Sequence, residues 1–513
     1  MGEAGGYGAA FVGLQSLGFL PQRALAAPQL AVAPGTGKGT SVVILGAGIA
    51  GLVAAYEMKQ LGYDVTLLEA RGRPGGRNWS VRGGDKIVFT DGATQTCTFD
   101  KGHYQNVGPA RLPSIHGTML GYCRKLGVEL QVEVNTSRSS FLQNDKANGG
   151  KPVIQRQAIN DTRGHVSELL MKAINNHCLD EDVTAADRDR MLSFLRIYGS
   201  LDDAGKYKGG DRAGYAKLPG AGDQVGELSK PIDMDTLLDA NFWNNLLFEE
   251  TFDMQATMFQ PVGGMDRIPY AFAKALGKTL QYDSPVTEIR KTAKGVRVGY
   301  TTKGAPKTIE AEYCVNAMPL TILRKIPNDF AAPYKKVIDE AVYAQAYKVA
   351  WESRRFWEQD YNIYGGLEFV SQGPNPVWLP SGELFSDKGI LVSGYSSGPP
   401  PGFDAAPLEA KFAASRQTIE SLHPGHGKEL QKPIYVGWHR VPYNEGSWIN
   451  AYEKGGTSFG ATSPGYETLL KPDGPVYFTG DHCSHIVAWQ EGAAVAGLRT
   501  VQMISDKVKS KSA

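Results

Sequence analysis

The chain has 513 residues, 42% hydrophobic and 21% charged, and its 54 basic residues against 53 acidic ones leave a net charge of +1. That is the composition of a globular chain with room for about three domains, and no charge excess draws it to nucleic acid or to an acidic membrane surface. Its five cysteines (Cys97, Cys123, Cys178, Cys314 and Cys483) are widely spaced with no CxxC pair, which excludes a disulfide scaffold and gives zinc no ligand set.

Residues 1–40 differ from the rest. An apolar run at 9–20 and the small residues Ala24, Leu25, Ala26 and Ala27 have the pattern of the later part of a secretory leader, although the first basic residue is Arg23. The segment reads as a residual leader or a flexible tail. A working leader implies secretion, and without one the chain reads as cytoplasmic. No later stretch reaches the roughly 18 apolar residues of a membrane span, so no membrane partner is expected.

Ser41–Leu45 is a β-branched run that reads as a buried parallel strand. It enters Gly46-Ala47-Gly48-Ile49-Ala50-Gly51, then an alanine-rich helical stretch at 52–61, then a second strand, Asp64–Leu68, ending at Glu69. Each part has a physical role. Gly46 permits the tight turn, Gly48 lets the backbone approach a pyrophosphate, and Gly51 lets helix and strand pack closely. The helix start presents free N–H groups to phosphate, and Glu69 lies where an acid can accept from a ribose. A second glycine pair and three arginines follow at once, in Glu69-Ala70-Arg71-Gly72-Arg73-Pro74-Gly75-Gly76-Arg77. An arginine fork suits a phosphate.

Further along, Val107-Gly108-Pro109-Ala110-Arg111-Leu112-Pro113 sets one arginine between two prolines, ahead of a helix at 114–126. Residues 185–197 and 236–252 have apolar residues at helical spacing, and Gly-, Lys- and Asp-rich loops such as 205–214 join the helices. The stretch 135–250 therefore reads as a largely helical insertion. Gln260-Pro261-Val262-Gly263-Gly264-Met265 precedes a strand at 284–289. Tyr347-Lys348-Val349 reads as strand, and a strand at 475–478 runs into Gly480-Asp481 before a small-residue helix at 490–499. His482, Cys483 and His485 do not make a metal site, since adjoining turn residues cannot converge on one ion.

GAGIAGL and LLEARGRPGGR, with the Gly263-Gly264 segment and the Gly480-Asp481 corner, resemble the flavin-containing amine oxidase superfamily, which includes monoamine, polyamine and L-amino acid oxidases. The resemblance covers nearly all of the chain from about residue 40 and is faintest at 135–250. It implies an α/β fold: a discontinuous Rossmann-like FAD-binding domain (41–111, 255–290 and 435–505), a largely helical domain (112–254) and a substrate-binding α+β domain (291–434). The implied cofactor is FAD, held by Gly46, Gly48, Ala50, Gly51, Glu69, Ala70, Arg71, Gly76, Arg77, Ala110, Val286, Gly480, Asp481 and Trp489. Glu69 would hold the adenosine ribose, Arg77 would lie near the pyrophosphate, Val286 would meet the adenine through its backbone, and Asp481 would bond the ribityl chain. Ser447 stands where monoamine oxidases carry a flavin-linked cysteine, which implies non-covalent FAD.

The G-P-A-R-L-P segment resembles that of L-amino acid oxidases, whose arginine binds the substrate carboxylate. The implied catalytic residues are Arg111 and Lys348, the lysine holding a water at the flavin. Trp489, Ala488 and Trp448 would join Arg111 around the substrate. Trp378 occupies the stretch where venom enzymes have a carboxylate-binding tyrosine. The expected reaction is oxidative deamination of L-α-amino acids with aromatic or other large neutral side chains, yielding 2-oxo acid, ammonia and H₂O₂. An amine or polyamine oxidase, or an amino acid monooxygenase of the same fold, is the alternative. The expected partners are a small-molecule L-amino acid and O₂, with the chain itself as a homodimer.

Overall fold

The computed structural model describes residues 30–254, 257–400, 402–456 and 463–512. The apolar run at 9–20 and the small residues at 24–27 lie outside them.

Five parallel strands form the first sheet, in the spatial order Leu280–Gln281, Asp64–Leu68, Ser41–Leu45, Tyr313–Asn316, Val476–Phe478. Ser41–Leu45 is apolar along nearly its whole length because both of its faces are covered. Val42 and Ile44 pack with Leu52, Phe272 and Val501 of the helices on one side. Val43 and Leu45 pack with Val296 and Val298 of a three-stranded antiparallel sheet, Val286–Thr292, Gly295–Thr302 and Ala305–Ala311, on the other.

The helix after the first strand, Ile49–Gln60, lies close to the sheet and to the long C-terminal helix Gln490–Ser512. Gly51 sets the first approach: a Cβ there would sit 2.0 Å from the Gly46 carbonyl oxygen. Gly497 sets the second, with a Cβ meeting the Ala50 carbonyl oxygen at 2.7 Å. Gly51→Ala is therefore expected to push the helix off the strand and cost about 3 kcal/mol, the upper range for overpacking. Chemical denaturation checks this, and unchanged stability would mean that the turn relaxes freely.

A seven-stranded sheet forms the other half, in the order Val153–Ile154, Phe141–Gln143, Gly366–Val370, Val377–Leu379, Lys388–Ser396, Tyr347–Arg354, Gln431–Gly437. Its core is aromatic, with Trp351, Phe356, Trp357 and Tyr435 buried. A small antiparallel sheet, Leu112–Pro113, Met258–Pro261 and Leu130–Glu133, links the two halves.

Three expectations need correction. The segment 291–434 does not stay on the substrate side: its strand Tyr313–Asn316 joins the parallel sheet beside Ser41–Leu45. The boundaries expected at 291 and 435 fall inside the strands Val286–Thr292 and Gln431–Gly437. The helix expected over 236–252 is two helices, Met234–Ala240 and Trp243–Phe248, because Asn241 takes a left-handed conformation (φ 51°) that ends the first. Helices Gln155–Asn175 and Ala185–Gly199 form the hairpin at the heart of the insertion. Among the described residues no helix is long and apolar enough to cross a membrane.

Candidate functional site

A cavity of about 370 Å³ runs along the carboxyl ends of the parallel strands. This is where ligands bind in such sheets, at the point where successive strands turn to opposite sides of the first one. Gly46 and Gly48 follow the first strand into its wall, Glu69, Ala70 and Arg71 follow the second, and Asp481 follows the last. Gly76, Arg77, Val286, Ser447, Trp448, Ala488 and Trp489 complete the expected lining, and Lys348 lines it too.

The glycine turn provides a cradle. A Cβ at Gly48 would meet no atom within 4 Å, and one at Gly76 only the Gly48 Cα at 3.6 Å, so both backbones face open space. The helix Ile49–Gln60 aims its N-terminus at that space, and no side chain caps it. Glu69 is buried, and its two oxygens accept the backbone N–H groups of Ala47 (2.9 Å) and Arg71 (3.0 Å). These bonds fix the carboxylate at the strand end, and each oxygen keeps acceptor capacity for a ribose. A buried polar cradle of this length fits the phosphate and ribose of a dinucleotide.

Several expected residues lie off the wall. Ala50 is buried under Gly497, and Gly51 fills the strand–helix contact. Gly480 forms the corner itself, where φ is 146° and a Cβ would strike the His482 ring at 2.5 Å. Ala110 lines a second, smaller cavity of about 80 Å³. Arg77 does line the main cavity, but its fork grips Asp481, with Nη1–Oδ2 at 3.0 Å and Nη2–Oδ1 at 2.5 Å. Burial alone would raise the Asp481 carboxyl, but the charge and hydrogen bonds of Arg77 hold it below the usual range. Arg71 donates to Asn444 Oδ1 at 2.6 Å and to the Pro442 carbonyl, and Arg73 donates to the Gly76 carbonyl at 2.9 Å. The three arginines thus brace the cavity wall, with their forks turned to protein acceptors.

Lys348 sits on the strand Tyr347–Arg354, 4% exposed. Its Nζ donates to the carbonyl oxygens of Asn106 (2.8 Å) and Gly108 (2.6 Å), and it lies 5.3 and 5.1 Å from the ring centres of Trp378 and Tyr395. Burial, and then the positive charge of Arg111, lower its pKa to about 7. A neutral lysine has two N–H groups, both used here, and one lone pair left to accept. The group can therefore hold or release a proton near neutral pH.

Arg111 is 6% exposed and is not among the residues that line the main cavity, although Pro109, two residues before it, is. It donates through Nη1 to Asn135 Oδ1, and its guanidinium carbon stacks 4.4 Å from the Trp378 ring centre. Among the described residues it has no carboxylate at ion-pair distance. The Trp378 indole thus carries Arg111 and Lys348, and donates its own Nε1–H to Glu133 Oε1 at 3.0 Å. Trp489 packs edge-on against the buried His116, ring centres 4.9 Å apart.

Glu133 and Glu249 were not legible as site residues. Glu133 meets Arg111 through the small sheet, where Met258 pairs with Pro113 on one side and Glu133 on the other. Nothing local in Val132-Glu133-Val134 marks it. Burial raises the carboxyls of both acids to about 7, against the pull of Arg111 on each.

These shifts give a signed prediction. Glu133 binds its proton more tightly in the folded chain, so its contribution to stability is lost as pH rises from its ordinary value near 4.5 through about 7. Lys348 binds its proton less tightly when folded, so stability is regained as pH rises from about 7 towards its ordinary 10.5. Glu133→Gln should therefore gain on the parent chain as pH rises from about 5 to 7, and Lys348→Met should lose its advantage above about 7. Urea denaturation at several pH values checks both, and parallel curves would refute the shifts.

Among the described residues no three His, Cys, Asp or Glu side chains gather as a metal site.

Comparison with known proteins agrees with this geometry. The chain is 25% identical over 485 residues to an L-amino-acid oxidase of Pseudechis australis, covering 91% of this chain and 87% of the relative. It is 26% identical over 493 residues to one of Gloydius blomhoffii, covering 90% and 88%. In fold it is similar to cyclohexylamine oxidase from Brevibacterium oxydans IH-35A (TM-score 0.59, 17% identity, 92% of this chain and 99% of that one). It is similar as well to a wild-type putrescine oxidase bound to putrescine (TM-score 0.58, 18% identity, 92% and 99%). The match to the flavin containing amine oxidoreductase family runs from residue 49 to residue 505, so this chain, with its glycine cradle and its cavity along the strand ends, belongs to that flavin-dependent family of oxidoreductases.

Proposed function

We propose that this chain binds FAD non-covalently and oxidatively deaminates L-α-amino acids to 2-oxo acids, ammonia and H₂O₂. The observation that carries the reading is Arg111: a buried guanidinium with no carboxylate partner among the described residues, stacked on Trp378 beside the lysine that lines the cavity. A buried cation of that kind suits a carboxylate ligand, and an arginine fork is the best match to one. The relatives named L-amino-acid oxidase support the same reading.

FAD, when bound, supplies the two-electron acceptor, and O₂ takes the electrons on. The glycine cradle and Glu69 would hold its phosphates and ribose, and Arg77 with Asp481 would brace the far end. Ser447 is engaged with the Ala344 carbonyl and offers no thiol for a covalent link. Arg111 would anchor the substrate carboxylate and so fix Cα in one place, which supplies much of the acceleration. Trp438, Trp448 and Trp489 line the cavity and exclude water around the amine, and such walls suit aromatic and other large side chains. Lys348 would hold or move a proton at Nζ. The expected homodimer remains part of this proposal.

The test is peroxide release by the yellow protein across L-amino acids, D-amino acids and simple amines. Peroxide from L-amino acids alone supports the reading. Peroxide from amines alone would make the chain an amine oxidase, a second reading favoured by the acids beside Arg111. An amide product in place of the 2-oxo acid would make it a monooxygenase.

A further inference from the structure

The surroundings of Arg111 hold more negative charge than a carboxylate-binding site calls for. Glu133 ends the strand Leu130–Glu133, and Glu249 follows the helix Trp243–Phe248. The two acids come from separate elements and are 4% and 6% exposed. Each keeps one oxygen without a hydrogen-bond partner, Oε2 of Glu133 and Oε1 of Glu249. The Trp378 indole satisfies the other oxygen of Glu133, and the Thr136 hydroxyl bonds Glu249. Among the described residues neither has a cation at ion-pair distance, although both lie in the field of Arg111.

Buried carboxylate oxygens without donors are costly, and such exceptions call for an explanation. Arg111 acts on both acids and Arg138 on Glu249, and the Nη1 of Arg111 is already committed to Asn135. A substrate carboxylate would take what remains of that fork. The surroundings would then hold three carboxyl groups against Arg111 and Lys348, with Arg138 acting on Glu249 from a side chain that already pairs with Glu250. A cationic group arriving with the substrate supplies N–H donors and balances the charge. Trp378 and Glu133 line the same small cavity of about 80 Å³, and the Trp378 ring already stacks Arg111 at 4.4 Å and Lys348 at 5.3 Å, so its surroundings suit a cation.

We propose that Glu133 and Glu249 receive a second, cationic group of the substrate, so that the favoured substrate ends in an ammonium or guanidinium. This rests on the α-carboxylate lying at Arg111, as in the proposed function. The same acids would serve the far end of a diamine if that reading fails.

The experiment compares L-lysine with L-norleucine, which has the same carbon chain without the terminal amine, on the FAD-loaded enzyme. It includes 1,5-diaminopentane and L-phenylalanine, and repeats the series on Glu133→Gln and Glu249→Gln. The kcat/KM for L-lysine should exceed that for L-norleucine by about 30-fold, and Glu133→Gln should cut this ratio by about tenfold, as for sites built to bond a polar substrate group. A merely structural acid would lower both substrates by the same factor, and that result overturns the proposal. L-norleucine or L-phenylalanine equal to or better than L-lysine also overturns it, while leaving the amino acid reading intact. Turnover of 1,5-diaminopentane with none of the three amino acids oxidised upholds the cationic end and overturns the carboxylate at Arg111. If the variants do not fold, the ratio on the parent chain decides.

Discussion

Arg111→Ala should raise KM for an L-amino acid by about 30- to 5,000-fold while the protein stays yellow, because truncating one side of a buried charge contact costs about 2–5 kcal/mol. The separation of the two effects follows from place: Arg111 lies off the wall of the cavity that Gly48, Glu69 and Asp481 line. If the carboxylate is held equally in ground state and transition state, kcat changes far less than KM. Arg111→Lys keeps a charge but loses both the fork and the planar stack on Trp378, so it should recover only part of the loss. Steady-state kinetics with a flavin spectrum on the same sample check this. An unchanged KM for amino acids would remove the carboxylate from Arg111 altogether.

The second large effect is structural. Arg77→Ala should destabilise the chain by about 3 kcal/mol and release the flavin, since it strips the partner from a buried carboxylate. Asp481 would keep only the Ala488 N–H at 3.3 Å, and its carboxyl would take up a proton instead of remaining charged. Asp481 is almost wholly buried, whereas the Arg77 side chain is 28% exposed, which places the cost at the lower end for such pairs. Arg77→Ala combined with Asp481→Asn should recover part of the stability, because no unpaired charge is then left inside. Denaturant titration and flavin retention on gel filtration measure the two consequences. If the double variant is as unstable as Arg77→Ala alone, the pair is not what holds this corner.

What the chain made legible follows from how local each signal is. Ser41–Leu45 and Asp64–Leu68 could be read because both faces of each are covered, which forces apolar runs, and because the glycine turn sits directly between them. The cradle was legible for the same reason, since its parts are consecutive. Tyr313–Asn316 was not, although it joins the same sheet, because four buried residues without a glycine turn carry no mark of their destination. The expected use of Arg77 on a phosphate missed a partner 404 residues away. Glu133 and Asn135 escaped detection because the small sheet that carries Leu130–Glu133 to Arg111 is encoded by no local pattern, and Trp378, read only as standing in a tyrosine's stretch, gave no sign that it would stack on Arg111. The break at Asn241 escaped because apolar spacing continued across it while the backbone did not.

The sheet order has a consequence for synthesis. Val476–Phe478 pairs with Tyr313–Asn316 and is made after every other strand of the parallel sheet. Until it emerges, Tyr313–Asn316 is an open, apolar edge ready to pair with another nascent chain. Asp481 and the helix Gln490–Ser512 arrive later still, so the cavity lacks that part of its wall until they are made. A chain cut between Tyr313–Asn316 and Val476–Phe478 would keep that apolar edge unpaired and should aggregate.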